Sequence, residues 1–439
     1  MRTKTPLRFS IPLLGLGGIL FFGAFAVDWV GLSVPVDFGV FQTLFLLLGI
    51  FLLILGSGII RINTGGWSRR LQIILPVYKK VSTIAVSTVL VFVFFETGAM
   101  LLVRRNIIFN TPDVRSKLPY YAGQAWAKSY WKEHSRAFSQ KQRYSPYMIW
   151  RTAPYKGKTI HIDDQSIRAT AYSHCESGVY RIFILGGSTM LGYGSPDWET
   201  IASHLAKQIE NATGRPVCIT NFGQVGYVQE QSIILLLQEL EAGHLPDAVI
   251  FYDGFNDSFF SYVFERANAH NGFWLIKERL ERPWKALILN SNIFSLMLKK
   301  LNFRSHIAPK PEPAGKLTNI FLNNYRIVQS VASGYGFKAF FFLQPNIYCG
   351  TKTLTAQEKQ MKRENSFEAP GFEKYITSVY GGIESDLRRY PKMFSLSRVF
   401  DGQNREIWLD ACHITPEGNR LVAAEMARLI LPDIRKSRV

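Results

Sequence analysis

Hydrophobic residues are distributed in two regimes along this chain. Before residue 105 they form long stretches, at 9–27, 39–60 and 82–103, each near the about twenty apolar residues that cross a bilayer. Beyond it they form short apolar runs ending in glycine or polar turns, separated by stretches with a helical period. The runs at 180–185, 217–220, 248–252 and 339–343 read as buried parallel strands. Residues 196–211 read as a helix, with Ser195 and Pro196 as start signals and Trp198, Ile201, Leu205 and Ile209 on one stripe. Further amphipathic helices are expected at 229–242 and 416–431. Strands alternating with helices predict a three-layer α/β/α domain around a parallel sheet.

The three long stretches predict three transmembrane helices. Arg2, Lys4 and Arg8 flank the first, the loop at 30–37 has no basic residue, and 61–80 carries Arg61, Arg69, Arg70, Lys79 and Lys80. Basic residues are retained on the cytoplasmic side, which puts everything after 105 outside, although Arg104 and Arg105 pull the other way. Glu96, inside the third stretch, is expected to pair with one of those arginines at the interface. Ala24-Phe25-Ala26 is similar to a signal-peptidase site, but the apolar run from Ile11 exceeds the about 7–15 residues of a signal core. The expected plan is a membrane anchor at 1–105, a connector with lead-in strands at 106–178, and the α/β domain at 179–435. An insertion at about 258–316 is expected to pack as a helical lid, because 259–264 and 288–301 are too apolar to stay solvated.

Composition sharpens this picture. Of the 51 basic and 33 acidic residues behind the net charge of +18, ten and three lie within 1–105, so the remainder is still basic. A basic surface beside a membrane suits anionic headgroups or acidic polysaccharide. Nucleic acid is a poor fit, since no nucleic-acid-binding module is present. Cys175, Cys218, Cys349 and Cys412 lack metal-binding spacing, so no metal or other cofactor is expected. An extracytoplasmic domain permits a disulfide, with three pairings open.

Four islands carry the chemistry: Gly186-Gly187-Ser188-Thr189, Asn221-Phe222-Gly223, Gly254-Phe255-Asn256-Asp257 and Asp410-Ala411-Cys412-His413. The first three follow expected strands, and ligands of open α/β sheets bind at those carboxyl ends. A serine nucleophile needs a base, the base an orienting carboxylate, and the oxyanion preorganised donors. Ser188, His413 and Asp410 fill the first three roles, with the Ser188 and Gly223 N–H groups and the Asn256 amide as oxyanion donors. Asp410 and His413 are three apart, on the loop entering the last helix. Gln344, at another strand end, is expected to line the pocket. Met190 stands where the GxSxG elbow needs glycine, and Cys412 has a weaker context for a nucleophile than Ser188.

The order and contexts of Ser188, Gly223, Asn256 and His413 resemble the SGNH (GDSL-type) hydrolase family, over roughly residues 179–431. The aspartate usual before the family's serine is Gly187 here. Residues 144–151 with 167–170 resemble the lead-in of membrane-anchored members. The resemblance implies a flavodoxin-like parallel sheet and a serine esterase acting on O-acyl esters of envelope carbohydrate or lipid, with the domain outside the cytoplasmic membrane. Two alternatives use other chemistry: an O-acyltransferase working with a partner membrane protein, and a non-catalytic glycan-binding or scaffold module.

Overall fold

Glycine and proline punctuation, rather than length, separates the elements of this chain, and the computed structural model describes residues 5–29, 40–61, isolated positions between 77 and 98, 114–139, 142–281 and 309–436. Two units are present, 1–108 with 288–302, and 109–287 with 303–439. In the first, helices α1 (Thr5–Trp29) and α2 (Val40–Arg61) pack through glycines. A Cβ at Gly49 would lie 2.7 Å from Phe21 N, and one at Gly17 would lie 3.0 Å from the Gly49 carbonyl oxygen. Absent side chains let the backbones approach. Ile19, Phe22, Phe51 and Ile54 remain exposed.

Among the described residues no helix is long and apolar enough to cross a membrane. The expected three transmembrane helices are therefore not supported. Glu96, Arg104 and Arg105 lie outside the described residues.

The described part of the second unit opens with a 3-10 turn, Val114–Lys117, a helical turn, Pro119–Ala122, and helix α3 (Ala127–Ser139). These bury Tyr121, Tyr130 and Trp131 in an aromatic cluster. Strands β1 (Arg143–Ser145) and β2 (Ile149–Arg151) form an antiparallel pair, as do β3 (Tyr155–Lys156) and β4 (His161–Ile162).

The main sheet contains β5 (Tyr180–Gly186), β6 (Val217–Asn221), β7 (Ala248–Asp253), β8 (Lys338–Leu343) and β9 (Met393–Ser395), all parallel, in the order β6-β5-β7-β8-β9. Every residue of β7 is buried, so both faces are covered. Numbering the five strands in chain order gives 2-1-3-4-5, the doubly wound order whose switch point falls between β5 and β7. Strand β9 was not expected, because its three residues are too short to show a period.

Helix α4 is the single turn Ser188–Leu191. The helix expected at 196–211 begins later: a 3-10 turn, Asp197–Glu199, precedes α5 (Ile201–Thr213), capped by Thr200, whose hydroxyl accepts Ser203 N–H. Trp198 leaves the expected stripe and meets Trp126 edge-on. Helix α6 (Gln229–Glu241) follows β6, and α7 (Phe255–Val263) begins directly after β7. Helices α8 (Phe273–Glu281) and α9 (Ala314–Tyr335) flank residues 282–308, which lie outside the described residues with most of the expected lid. Helices α10 (Ala356–Glu368), α11 (Phe372–Asp386) and α12 (Pro416–Lys436) complete the chain. α5 packs with α12, while α9 packs with α6 and α11.

Candidate active site

Strand β5 ends at Gly186, and Gly187, in extended conformation, caps α4, so Ser188 is the first residue of that turn. N–H groups in a helix's first turn have no acceptor within it, which leaves the Ser188 N–H pointing outward. Ser188 is only 8% exposed, and its Oγ lies 2.7 Å from His413 Nε2. The two residues are 225 positions apart.

His413 is brought there by a tight turn. Leu409 N–H donates to the His413 carbonyl, and Asp410 Oδ1 accepts the N–H groups of Cys412 and His413. The spacing of three therefore works through a capped loop, with α12 starting only at Pro416. Asp410 Oδ2 lies 2.6 Å from His413 Nδ1. With the proton on Nδ1 donated to Asp410, Nε2 is left to accept the Ser188 hydroxyl. Loss of solvation works against ionised Asp410, but the His413 charge, its side-chain bond and the two N–H donors outweigh it. The carboxyl is held well below its usual range.

Residues of the two other islands border this turn. A Cβ on Gly187 would lie 2.5 Å from Asn256 Nδ2, so the Asn256 amide occupies the space an aspartate side chain would enter. A side chain at position 187 would have to displace that amide. Asn256 Nδ2 donates to the Tyr227 carbonyl at 2.9 Å, and an amide carries a second N–H. A Cβ at Gly223 would lie 2.3 Å from Leu191 N, so the turn after β6 packs directly on the backbone of α4. The Gly223 N–H donates to Asn221 Oδ1 at 3.0 Å, so it can meet a substrate oxygen only as a shared donor. Asn221 Nδ2 in turn holds the Met190 carbonyl.

Gln344 departs from its expected place at the pocket. It is 3% exposed, and its amide donates to Thr189 Oγ1 at 2.9 Å and to the Cys412 carbonyl at 3.3 Å. It ties the serine turn to the histidine loop. His204, beside the apolar stripe of α5, pairs with Glu199 at 3.0 Å.

Behind Asn256, Asp257 accepts the Gln229 and Gly254 N–H groups and fixes the start of α7. Burial pushes the Asp257 carboxyl up to about 6 against those donors. Asp253 is pushed well above its ordinary value by burial and by Asp257.

Three potential metal-ligand atoms, from Asp410, Cys412 and His413, lie within 4.8 Å of one another. Asp410 and His413 are already bonded to each other, and burial with the nearby Asp410 charge pushes the Cys412 thiol well up, so this trio is a poor metal site. Cys412 Sγ lies 3.8 Å from Nδ1, on the ring edge away from Ser188. The open cysteine pairing resolves to Cys175–Cys218, which fastens the segment before β5 to β6.

Two further residues support the site: Arg168, noted in the sequence only as part of the 167–170 lead-in, and Tyr193, which sequence reasoning passed over. Arg168, fully buried, holds Asp197 and the carbonyls of Leu191 and Ser195. Tyr193 lies against His413 with ring centroids 4.0 Å apart. Their only local signals were a lone arginine in an otherwise short polar segment and a tyrosine between two glycines.

An open parallel α/β sheet with a hydrogen-bonded Ser–His–Asp path beside the carboxyl ends of its strands is an arrangement that serine hydrolases share. Within that class, the order Ser188, Gly223, Asn256 and His413 on a 2-1-3-4-5 sheet resembles the SGNH hydrolases. No family model matches the sequence, and no curated protein matches it. Solved structures similar to the chain include the carbohydrate acetylesterase Est24 from Sinorhizobium meliloti, at 11% identity over 58% of this chain and 99% of that one, TM-score 0.34. Another is a putative lipolytic protein of the G-D-S-L family from Desulfitobacterium hafniense, at 12% identity over 57% and 98%, TM-score 0.31. A third is the aryl esterase of M. smegmatis, at 14% identity over 58% and 99%, TM-score 0.35. The overlap covers little more than half of this chain, and the class rests on the geometry of the site.

Proposed function

We propose that this protein is a serine acyl hydrolase of SGNH type, an esterase held at the cytoplasmic membrane with its α/β domain on the outer side. The observation that carries the reading is the continuous path Ser188 Oγ–His413 Nε2 and His413 Nδ1–Asp410 Oδ2, at 2.7 and 2.6 Å. In the proposed cycle Ser188 Oγ bonds to the ester carbonyl carbon as its proton passes to Nε2. Asp410 stabilises the imidazolium, and the Ser188 N–H with the free Asn256 N–H receives the oxyanion. Collapse breaks the ester C–O bond, and His413 returns the proton to the departing alcohol. Water, deprotonated by His413, then releases the acid and restores Ser188.

Two observations support the placement. The Cys175–Cys218 disulfide suits an oxidising, extracytoplasmic compartment. Phe22, Phe51 and Ile54 present exposed apolar surface on α1 and α2, as a lipid-facing helix pair would. The substrate proposed is an O-acyl ester of envelope carbohydrate or lipid, approached by a basic domain beside the membrane.

Labelling of the full-length protein in detergent with a fluorophosphonate tests the reading. Wild type should label and Ser188→Ala should not. Equal labelling of both, or none of either, refutes it.

A further inference from the structure

The Ser188 turn ends in a way that sends one aromatic ring back over the base. Gly192, with φ +96°, closes α4 in the left-handed conformation, and both Gly192 N–H and Tyr193 N–H donate to the Ser188 carbonyl. This helix-ending motif fixes where Tyr193 departs. Its ring stands 4.0 Å from the His413 ring, tilted by 31°, covering a face of the imidazole. Further contacts of Tyr193 come from the connector. His134 meets it edge-on at 4.5 Å, and Arg115 donates to its hydroxyl at 2.7 Å while lying 4.0 Å over the Trp131 ring.

We propose that Tyr193 is a positioning residue for His413, its ring holding the imidazole between Ser188 and Asp410 and favouring the imidazolium that forms during attack, with Arg115 anchoring that ring from the connector. The inference rests on the serine-hydrolase reading of the same site. An aromatic face attracts a cation set over it, and His413 becomes a cation when it takes the Ser188 proton. The groups facing His413 are Asp410 at Nδ1, Ser188 at Nε2, the Cys412 thiol at 3.8 Å and the Tyr193 face. Tyr193 is itself faced by Arg115 and His134, with Tyr121 and Tyr130 close by. Arg115 follows shortly after the last long apolar stretch in sequence.

The test compares Tyr193→Phe, which keeps the ring, with Tyr193→Leu and Tyr193→Met, which remove it, in the full-length protein with folding checked by near-UV circular dichroism. The pH profile of kcat/KM on p-nitrophenyl acetate should keep its acid limb in Tyr193→Phe. In the ringless variants the limb should move down by about half to one pH unit, and kcat should fall about three- to tenfold at little-changed KM. Arg115→Gln should lower kcat while leaving the limb in place. A wild-type limb in folded Tyr193→Leu or Tyr193→Met overturns the proposal. The His413 ring titration followed by NMR should show the same downward shift without turnover, and fluorophosphonate labelling reports separately on the hydrolase reading.

Discussion

Replacing Gly223 by alanine tests whether the turn after β6 sets the position of the nucleophile. The added methyl would lie 2.3 Å from Leu191 N, 2.7 Å from the Met190 carbonyl carbon and 2.8 Å from Leu191 Cα. All three are backbone atoms of α4, the turn that begins with Ser188. Non-bonded contacts settle near about 3.5–4 Å, so α4 and the turn must part by about 1 Å. Asn221 resists that movement, because it bonds Met190 on one side and the Gly223 N–H on the other. Overpacking of this kind costs about 1–3 kcal/mol. A displacement of about 1 Å at a catalytic group can cost about a hundredfold in rate. Gly223→Ala is therefore expected to stay folded, melt several degrees lower, and lose about a hundredfold in kcat/KM on p-nitrophenyl acetate. Gly381→Ala is the control: it lies inside α11, a Cβ there meets nothing within 4 Å, and it should gain up to about 1 kcal/mol with unchanged activity. Wild-type kcat/KM in Gly223→Ala would show that the packing of this turn does not position Ser188.

Reducing the Cys175–Cys218 disulfide, whose partners are 43 residues apart, should destabilise the α/β domain by about 4 kcal/mol in chemical denaturation; an unchanged midpoint after verified reduction would count against its role as a staple. Gln344→Ala leaves the Cys412 carbonyl and Thr189 without their buried donor, so a loss of about 1–3 kcal/mol is expected with a fall in kcat, and a variant as stable as wild type would show that the clamp is dispensable. Asp257, with its folded pKa raised to about 6 above an unfolded value of about 3.9, contributes stability that is complete below about pH 4 and is lost as pH rises through 6. The stability of wild type relative to Asp257→Asn should accordingly decline between pH 4 and 7, and a flat difference in urea titrations would refute the assignment. Asp410 acts in the opposite sense: its depressed pKa makes its contribution present above about pH 4 and lost in acid.

Much of this domain was legible because buried parallel strands and amphipathic helices are local patterns. The runs at 180–185, 217–220, 248–252 and 339–343 each fall within an observed strand that extends one residue further. The islands at their ends were visible for the same reason, since a strand that stops at glycine or asparagine announces a turn. Where a helix began was harder, because Ser195 and Thr200 are both acceptable caps and distant contacts separate them, Arg168 holding the Ser195 carbonyl and Asn419 the Ser195 hydroxyl.

What the sequence determined by itself was thus four of the five sheet strands and three of the domain's helices, the candidate Ser, His, Asp, Gly and Asn, and the charge and apolar partition between the ends of the chain. Tertiary structure alone decided that Cys175 pairs with Cys218, the burial of Gln344 between two loops, the Gly223 N–H donated to Asn221, and the Tyr193 ring laid on His413. The physical reason is range. Propensity and periodicity act over a few residues, whereas a hydrogen bond spanning 225 positions exists only after the sheet has brought its strand ends to one edge.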